Sequence, residues 1–186
     1  QGDTRVPARY VYSSVIADLR SVASAGPDAW ACGADGAMLH SADYGESWTS
    51  QTSKIGFPTP LNGVKFADMS NGLAVGDIGS MYKTHDGGAS WSNVSLPVQQ
   101  HLYGIDIPSD TTTIVVGSDG LLIRSTNGGG SWKSPTIATN AHLRSVRFFD
   151  KNNGMAVGDA GTILRTTNAG FSWAAVPPIT ARTLNA

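Results

Sequence analysis

The feature that most constrains this chain is that it repeats itself four times. SADYGESW (41–48), THDGGASW (84–91), STNGGGSW (125–132) and TTNAGFSW (166–173) end on Trp48, Trp91, Trp132 and Trp173, so the repeat length is 43, 41 and 41 residues with almost no insertion. Upstream of each box the match continues through ACGADGAML, AVGDIGSMY, VVGSDGLLI and AVGDAGTIL, and before those through LRSVAS, LNGVKF, LYGIDI and LRSVRF. Three runs of β-branched and aromatic residues with period-two alternation precede each Trp and a fourth follows it, which predicts a four-stranded antiparallel meander per repeat. No segment sustains a helical period. Gly-x-Asp-Gly or Gly-Asp-x-Gly between the second and third runs supplies the positive φ of a tight hairpin.

A four-stranded unit of about forty residues cannot bury both of its faces alone, so the units stack radially. The expected fold is therefore all-β, a small β-propeller of four-stranded antiparallel blades. The blades are placed at 19–60, 61–101, 102–142 and 143–182, within one domain spanning 1–186. Residues 1–18 contain RYVYSSVI, a strand without a box, and Thr183-Leu184-Asn185-Ala186 resembles the start of a further first strand. Closure through the two termini, a bare four-blade ring, and two chains joining as a homodimer all remain open here.

Turn chemistry accounts for the box. Asp43 and Asp86 can accept hydrogen bonds from backbone N–H groups of their own turn, and Gly45, Gly88, Gly129 and Gly170 permit the positive φ the turn needs. Asn127 and Asn168 keep the carbonyl acceptor and lose the charge, which argues against chemistry requiring a carboxylate at that position. Each Trp then enters the packed layer.

The pattern S/T-x-D/N-x-G-x-S-W resembles the Asp box of sialidases, sortilin-type receptors and other secreted propellers. NGMAVGDAGTILRTTNAGFSW (153–173) is similar to the repeat of the photosystem II assembly and stability factor family and its bacterial relatives. The likeness extends over residues 19–186. It implies a protein-binding assembly role and an extracytoplasmic location, with an arginine-rich face meeting the partner polypeptide.

A catalytic reading finds little support. The sialidase likeness would imply an arginine cluster, a tyrosine nucleophile with a glutamate partner and an acid aspartate, yet the chain holds a single glutamate, Glu46, inside the first box. The aspartates fall mostly in repeated turns, the four histidines are scattered and the one cysteine, Cys32, lies in an apolar strand pattern, so neither a catalytic residue, a metal site nor a cofactor is expected. Thirteen basic against fourteen acidic residues give no field that would call for nucleic acid. No run approaches the length of a membrane span, and the start carries no signal-peptide pattern.

The residues with positional claims to a site are those after the first-strand leucines, Arg20, Asn62, Tyr103 and Arg144, which should lie near the axis. His101 and His142, each just before a first strand, should sit at one rim on adjacent blades. Lys65, Asp106 and Arg147 share one first-strand position, with Ala23 in blade 1, and should form an interblade ion-pair row. His40, Lys83, Arg124 and Arg165 precede the boxes and should serve the blade faces. The expected function is a non-enzymatic scaffold presenting one face to a protein or peptide. A lectin-like module using exposed Trp, Tyr and Asp residues is the alternative, and a glycoside hydrolase the third.

Overall fold

The computed structural model describes residues 17–52, 59–177 and 180–185. Blade 1 comprises β1 (Leu19–Ala25), β2 (Asp28–Gly33), β3 (Met38–Ser41) and β4 (Thr49–Ser50), paired antiparallel in that order. Blade 2 repeats this with β5 (Leu61–Phe66), β6 (Gly72–Gly76), β7 (Met81–Thr84) and β8 (Ser92–Asn93). Blade 3 has β9 (Leu102–Asp106), β10 (Thr113–Gly117) and β11 (Leu122–Ser125), and its fourth strand shrinks to one bridge between Arg124 and Lys133. Blade 4 has β12 (Leu143–Phe148), β13 (Gly154–Gly158), β14 (Ile163–Thr166) and β15 (Ala174–Ala175).

The hairpin between second and third strands is a tight turn with two residues at positive φ, Asp35 at 54° and Gly36 at 69°, and it recurs at Ile78-Gly79, Asp119-Gly120 and Ala160-Gly161. The first strands stack side by side, β1 on β5, β5 on β9 and β9 on β12, with no comparable contact between β12 and β1 among the described residues. The four blades therefore form an arc around one axis.

The core lies between the blades. Trp30, Cys32 and Met38 of blade 1 pack on Leu61, Val64 and Phe66 of blade 2, with Trp30 and Phe66 stacked at 3.4 Å between ring centroids. Val75 and Met81 meet Leu102 and Ile105, and Val116 and Leu122 meet Leu143 and Val146, in the same way. Cys32 is part of this core, and burial pushes its thiol pKa up to about 12.

Residues 1–16 and Ala186, on which most of the expected closure segments fall, lie outside the described residues. The tail 180–185 does follow the path taken at earlier blade junctions. A Cβ on Gly79, Gly120 or Gly161 would stand 1.8–2.3 Å from the carbonyl oxygen of Val98, Thr139 or Thr180, respectively. Asn185 thereby falls in register with Arg144.

All four boxes are clasped as expected, with one contribution the sequence reading left out. Ser47 N–H donates to Asp43 Oδ1 at 2.9 Å and Ser47 Oγ–H to Oδ2 at 2.6 Å, and Ser90 does the same to Asp86. Ser131 and Ser172 N–H donate to the amide oxygens of Asn127 and Asn168 at 2.8 and 3.0 Å. In addition, the first hydroxyl of every box, on Ser41, Thr84, Ser125 or Thr166, accepts from the box glycine N–H at 2.9–3.0 Å. Only Trp173 is fully in the packed layer. Trp48, Trp91 and Trp132 are half-buried, although Trp173 too precedes an outer strand of only two residues.

Candidate functional site

Local backbone geometry singles out the four axial residues. Opposite each first strand the pairing slips: Leu19 faces Gly33 while Ser21 faces Cys32, so Arg20 is the extra residue of a β-bulge. Asn62, Tyr103 and Arg144 are bulged in the same place. A bulge re-aims the side chain that it carries. It requires Gly33, Gly76, Gly117 and Gly158 on the second strand, where a Cβ would stand 2.0–2.1 Å from the carbonyl oxygen before the first-strand leucine. The Leu-x-Gly/Ser…Gly pattern carries this signal in the sequence.

The re-aimed side chains surround a channel of about 950 Å³ lined by Arg20, Asn62, Tyr103 and Arg144, with Asn185 at the fifth position. They are joined to one another. Arg20 Nη1 donates to Asn62 Oδ1 at 2.6 Å, and Asn62 Nδ2 donates to Asp77 Oδ1 at 2.8 Å and to the Leu102 carbonyl at 2.9 Å. His101 Nδ1 lies 3.0 Å from the same Asp77 oxygen, and its ring is parallel to Tyr103 at 6.2 Å. The Arg144 guanidinium stands 4.8 Å from the Tyr103 ring centroid and binds Asp159 through two bonds of 2.9 and 2.8 Å.

His142 meets the other side of Tyr103 edge-on at 6.3 Å. Its Nδ1 accepts from the Asp119 backbone N–H at 2.9 Å, which puts the ring proton of the neutral form on Nε2. The Asp119 carboxylate, 3.7 Å from that nitrogen, is therefore a neighbour and not a hydrogen-bond partner.

The carboxylates are held ionised. Burial acts against Asp77, but hydrogen bonds from Asn62 and His101 outweigh it and lower its pKa. The Arg144 hydrogen bonds lower that of Asp159, and Asp159 in turn raises that of Arg144. Sequence reasoning placed the arginines, tyrosine and histidines near the axis but missed Asp77 and Asp159, whose position at the start of the β2–β3-type turn was absorbed into turn chemistry.

One register further along, Lys65 and Arg147 also line the channel. Asp106, only 4% exposed, takes Lys65 Nζ at 2.9 Å and the Phe148 N–H at 2.7 Å, with Arg147 Nη1 at 3.9 Å. The ion-pair row is thus present across blades 2, 3 and 4. Ile78 is another residue the sequence reading passed over. It is a β-branched side chain at a φ of 55°, exposed to solvent on the turn beside Asp77. Such residues avoid positive φ because the branch meets the backbone.

Among the described residues, no group of three His, Cys, Asp or Glu side chains could hold a metal ion. Glu46 is exposed on the turn of the first box, away from the channel lining.

Residues 83–181 match the family described as photosynthesis system II assembly factor YCF48. The chain belongs to that family. The photosystem II assembly lipoprotein Ycf48 of Synechococcus sp. (strain CC9902) is 32% identical over 73 residues, which cover 39% of this chain and 22% of that protein. The solved structure of YCF48 bound to D1 peptide superposes with a TM-score of 0.73 at 18% identity, over 87% of this chain and 55% of that one. An ancestral GH74 enzyme superposes with a TM-score of 0.70 at 17% identity, over 84% of this chain and 24% of the enzyme. Likeness at this identity is likeness of fold. The chain spans about half the length of the YCF48 structure it resembles.

No helix among the described residues is long and apolar enough to cross a membrane.

Proposed function

We propose that this chain is a non-enzymatic, extracytoplasmic binding module that takes a segment of a partner polypeptide at the mouth of its axial channel, as an aid to assembly. The observation that carries the reading is the bulged row Arg20, Asn62, Tyr103 and Arg144, four side chains of one register aimed at one channel. Membership of the YCF48 family and the existence of a D1 peptide complex of a member support a peptide as the ligand.

The chemistry suits a peptide end or loop with mixed character. A guanidinium offers five N–H donors in a fork matched to a carboxylate or a carbonyl pair, and Asn62 takes one of those of Arg20. Tyr103 offers an aromatic face that a peptide side chain can cover. Asp77 and Asp159 hold Asn62 and Arg144 in place, so little side-chain freedom is lost when the ligand arrives.

The test is capture of the D1 peptide by fluorescence anisotropy, with wild-type chain, the Arg20→Ala/Arg144→Ala double variant and Tyr103→Ala. Loss of roughly tenfold or more in affinity is expected for each, a change that corresponds to about 1.4 kcal/mol. Thermal unfolding checks that the fold is kept. Unchanged capture by the double variant would remove the axial site from consideration.

A further inference from the structure

Two of the three blade junctions set an aromatic ring against the residue before the box, and the middle one does not. Between blades 1 and 2, His40 of β3 stacks on Trp30 at 5.2 Å between ring centroids, and Trp30 lies on Phe66 at 3.4 Å. Between blades 3 and 4, Arg124 of β11, in the position of His40, lays its guanidinium 3.7 Å from the ring centroid of Phe171, with Phe148 in the position of Phe66. Between blades 2 and 3 the same position is Lys83. There the places of Trp30, Phe66 and Phe171 are taken by Leu73, Ile107 and Gly130, and among the described residues no aromatic ring lies over the Lys83 ammonium.

A cleft of about 260 Å³ occupies this space. Leu73 and Thr113 are buried at its floor beside Ile107, while His85 and Asp110 stand exposed at its mouth. Lys83 lines it and is fixed by the bond from Nζ to the Gly128 carbonyl at 2.6 Å, which spans the junction. The missing ring is written into both strands of blade 3. In blades 2 and 4 the rings of Phe66 and Phe148 lie 2.6–2.9 Å from where a Cβ on Gly72 or Gly154 would stand, so glycine is required opposite them, whereas Thr113 stands opposite Ile107. Both blades that form the cleft have a neighbour on each side, so the cleft belongs to the interior of the arc.

The mouth offers acceptors. Asn71 Nδ2 donates to Asp68 Oδ2 at 2.9 Å, which leaves Asn71 Oδ1 to accept from His85 Nδ1 at 2.7 Å. In the neutral ring His85 Nε2 is then an acceptor, and Asp110 adds an exposed carboxylate.

We propose that the cleft between blades 2 and 3 is a binding site for an aromatic ring that carries a hydrogen-bond donor, with indole as the best fit. The ring packs on Leu73 and Ile107 and gives Lys83 the aromatic face that His40 and Arg124 have from the chain itself. Indole is the side-chain ring that holds a cation most strongly. Its N–H donates to His85 Nε2 or to the Asp110 carboxylate. A cavity of roughly 150 Å³ lined by such side chains takes up benzene, so the cleft has room for the fused ring. It lies at the far end of the first strands from Arg20, Asn62, Tyr103 and Arg144, and the inference does not depend on the peptide reading.

The test is a titration of the chain with indole, and separately with N-acetyltryptophanamide, followed by ¹H–¹⁵N NMR. Saturable shifts are expected at Leu73, Lys83 and Ile107, and none there with cyclohexanol. Lys83→Met should weaken binding by roughly threefold or more through loss of the cation under the ring. Ile107→Phe/Thr113→Gly restores the pair found in blades 2 and 4 and should abolish binding with the thermal midpoint unchanged or raised; if that variant does not fold, Lys83→Met decides. Binding of indole alone marks a free small molecule as the ligand, and binding of both probes shows that a tryptophan side chain also enters. No saturable shift with either probe, equal shifts with cyclohexanol, full affinity in Lys83→Met, or full affinity in a folded Ile107→Phe/Thr113→Gly would each overturn the proposal.

Discussion

Blade 1 and blade 2 carry the same strands, the same turn and the same box, yet the first strand of one is exposed where that of the other is buried. Leu19 and Val22 stand in solvent, whereas Leu61 and Val64 are closed over by Trp30, Cys32 and Met38. The difference teaches that a blade's sequence prepares a face but the preceding blade makes it a core. Stability along the arc is then a sum of junctions, as in other repeat proteins.

The largest test of this contrast is a pair of truncations at one register. Leu61→Ala opens a cavity in a filled junction and should cost about 3 kcal/mol, while Leu19→Ala, at an exposed site, should cost less than about 0.5 kcal/mol. Denaturant titration of the two variants at low protein concentration gives both numbers. Equal losses would mean that blade 1 is covered as well as blade 2 is.

A second test uses the polar row, which blade 1 leaves at Ala23. Asp106→Ala removes a buried acceptor from Lys65 and from the Phe148 N–H, and should cost about 2 kcal/mol because two donors lose their partner. Ala23 is half-buried against the Trp30–Phe66 cluster, so Ala23→Asp should cost about 1 kcal/mol, less than the loss at Asp106 because no buried donor loses its partner. A comparable loss at both positions would remove the distinction between interior and end blades.

The turns give a third, smaller contrast. Asp35 of blade 1 and Ile78 of blade 2 occupy the same positive-φ position, but a short polar side chain tolerates it and a β-branched one does not. Ile78→Gly should therefore raise stability by about 1 kcal/mol, and Asp35→Gly by only a few tenths. If Ile78→Gly also weakens D1 peptide capture, the strained side chain touches the ligand. If stability does not rise, the turn is not strained.

Much of this was legible in the sequence because the repeat is in register. The four-stranded repeat, the hydrogen-bonded boxes, the core position of Cys32 and the Lys65–Asp106–Arg147 row all follow from residue types recurring at fixed offsets. What could not be read arises from pairing between strands. The bulge that aims Arg20, Asn62, Tyr103 and Arg144 depends on which residue faces Gly33 and its counterparts. The bonds from Asn62 to Asp77 and from Arg144 to Asp159 join residues 15 apart that only the folded hairpin brings together.

The smallest expected effect marks where the contrast between blades should vanish. Hydrogen bonds from the Ser47 side chain and N–H hold the Asp43 pKa down to about 2, and bonds from the Ser90 N–H and side chain do the same for Asp86. An unfolded aspartate titrates near ~3.9, so each box favours the folded state above that pH and loses its contribution as pH falls toward 2. The boxes of blades 3 and 4 carry Asn127 and Asn168 and do not titrate there. Asp43→Asn and Asp86→Asn should each shift part of the acid unfolding curve to lower pH, with little change at pH 7, and by equal amounts despite the exposed face of blade 1. Unequal shifts in a pH titration followed by tryptophan fluorescence would show that the clasp depends on the junction behind it, and the exposed blade would then be weakened in its turn as well as in its face.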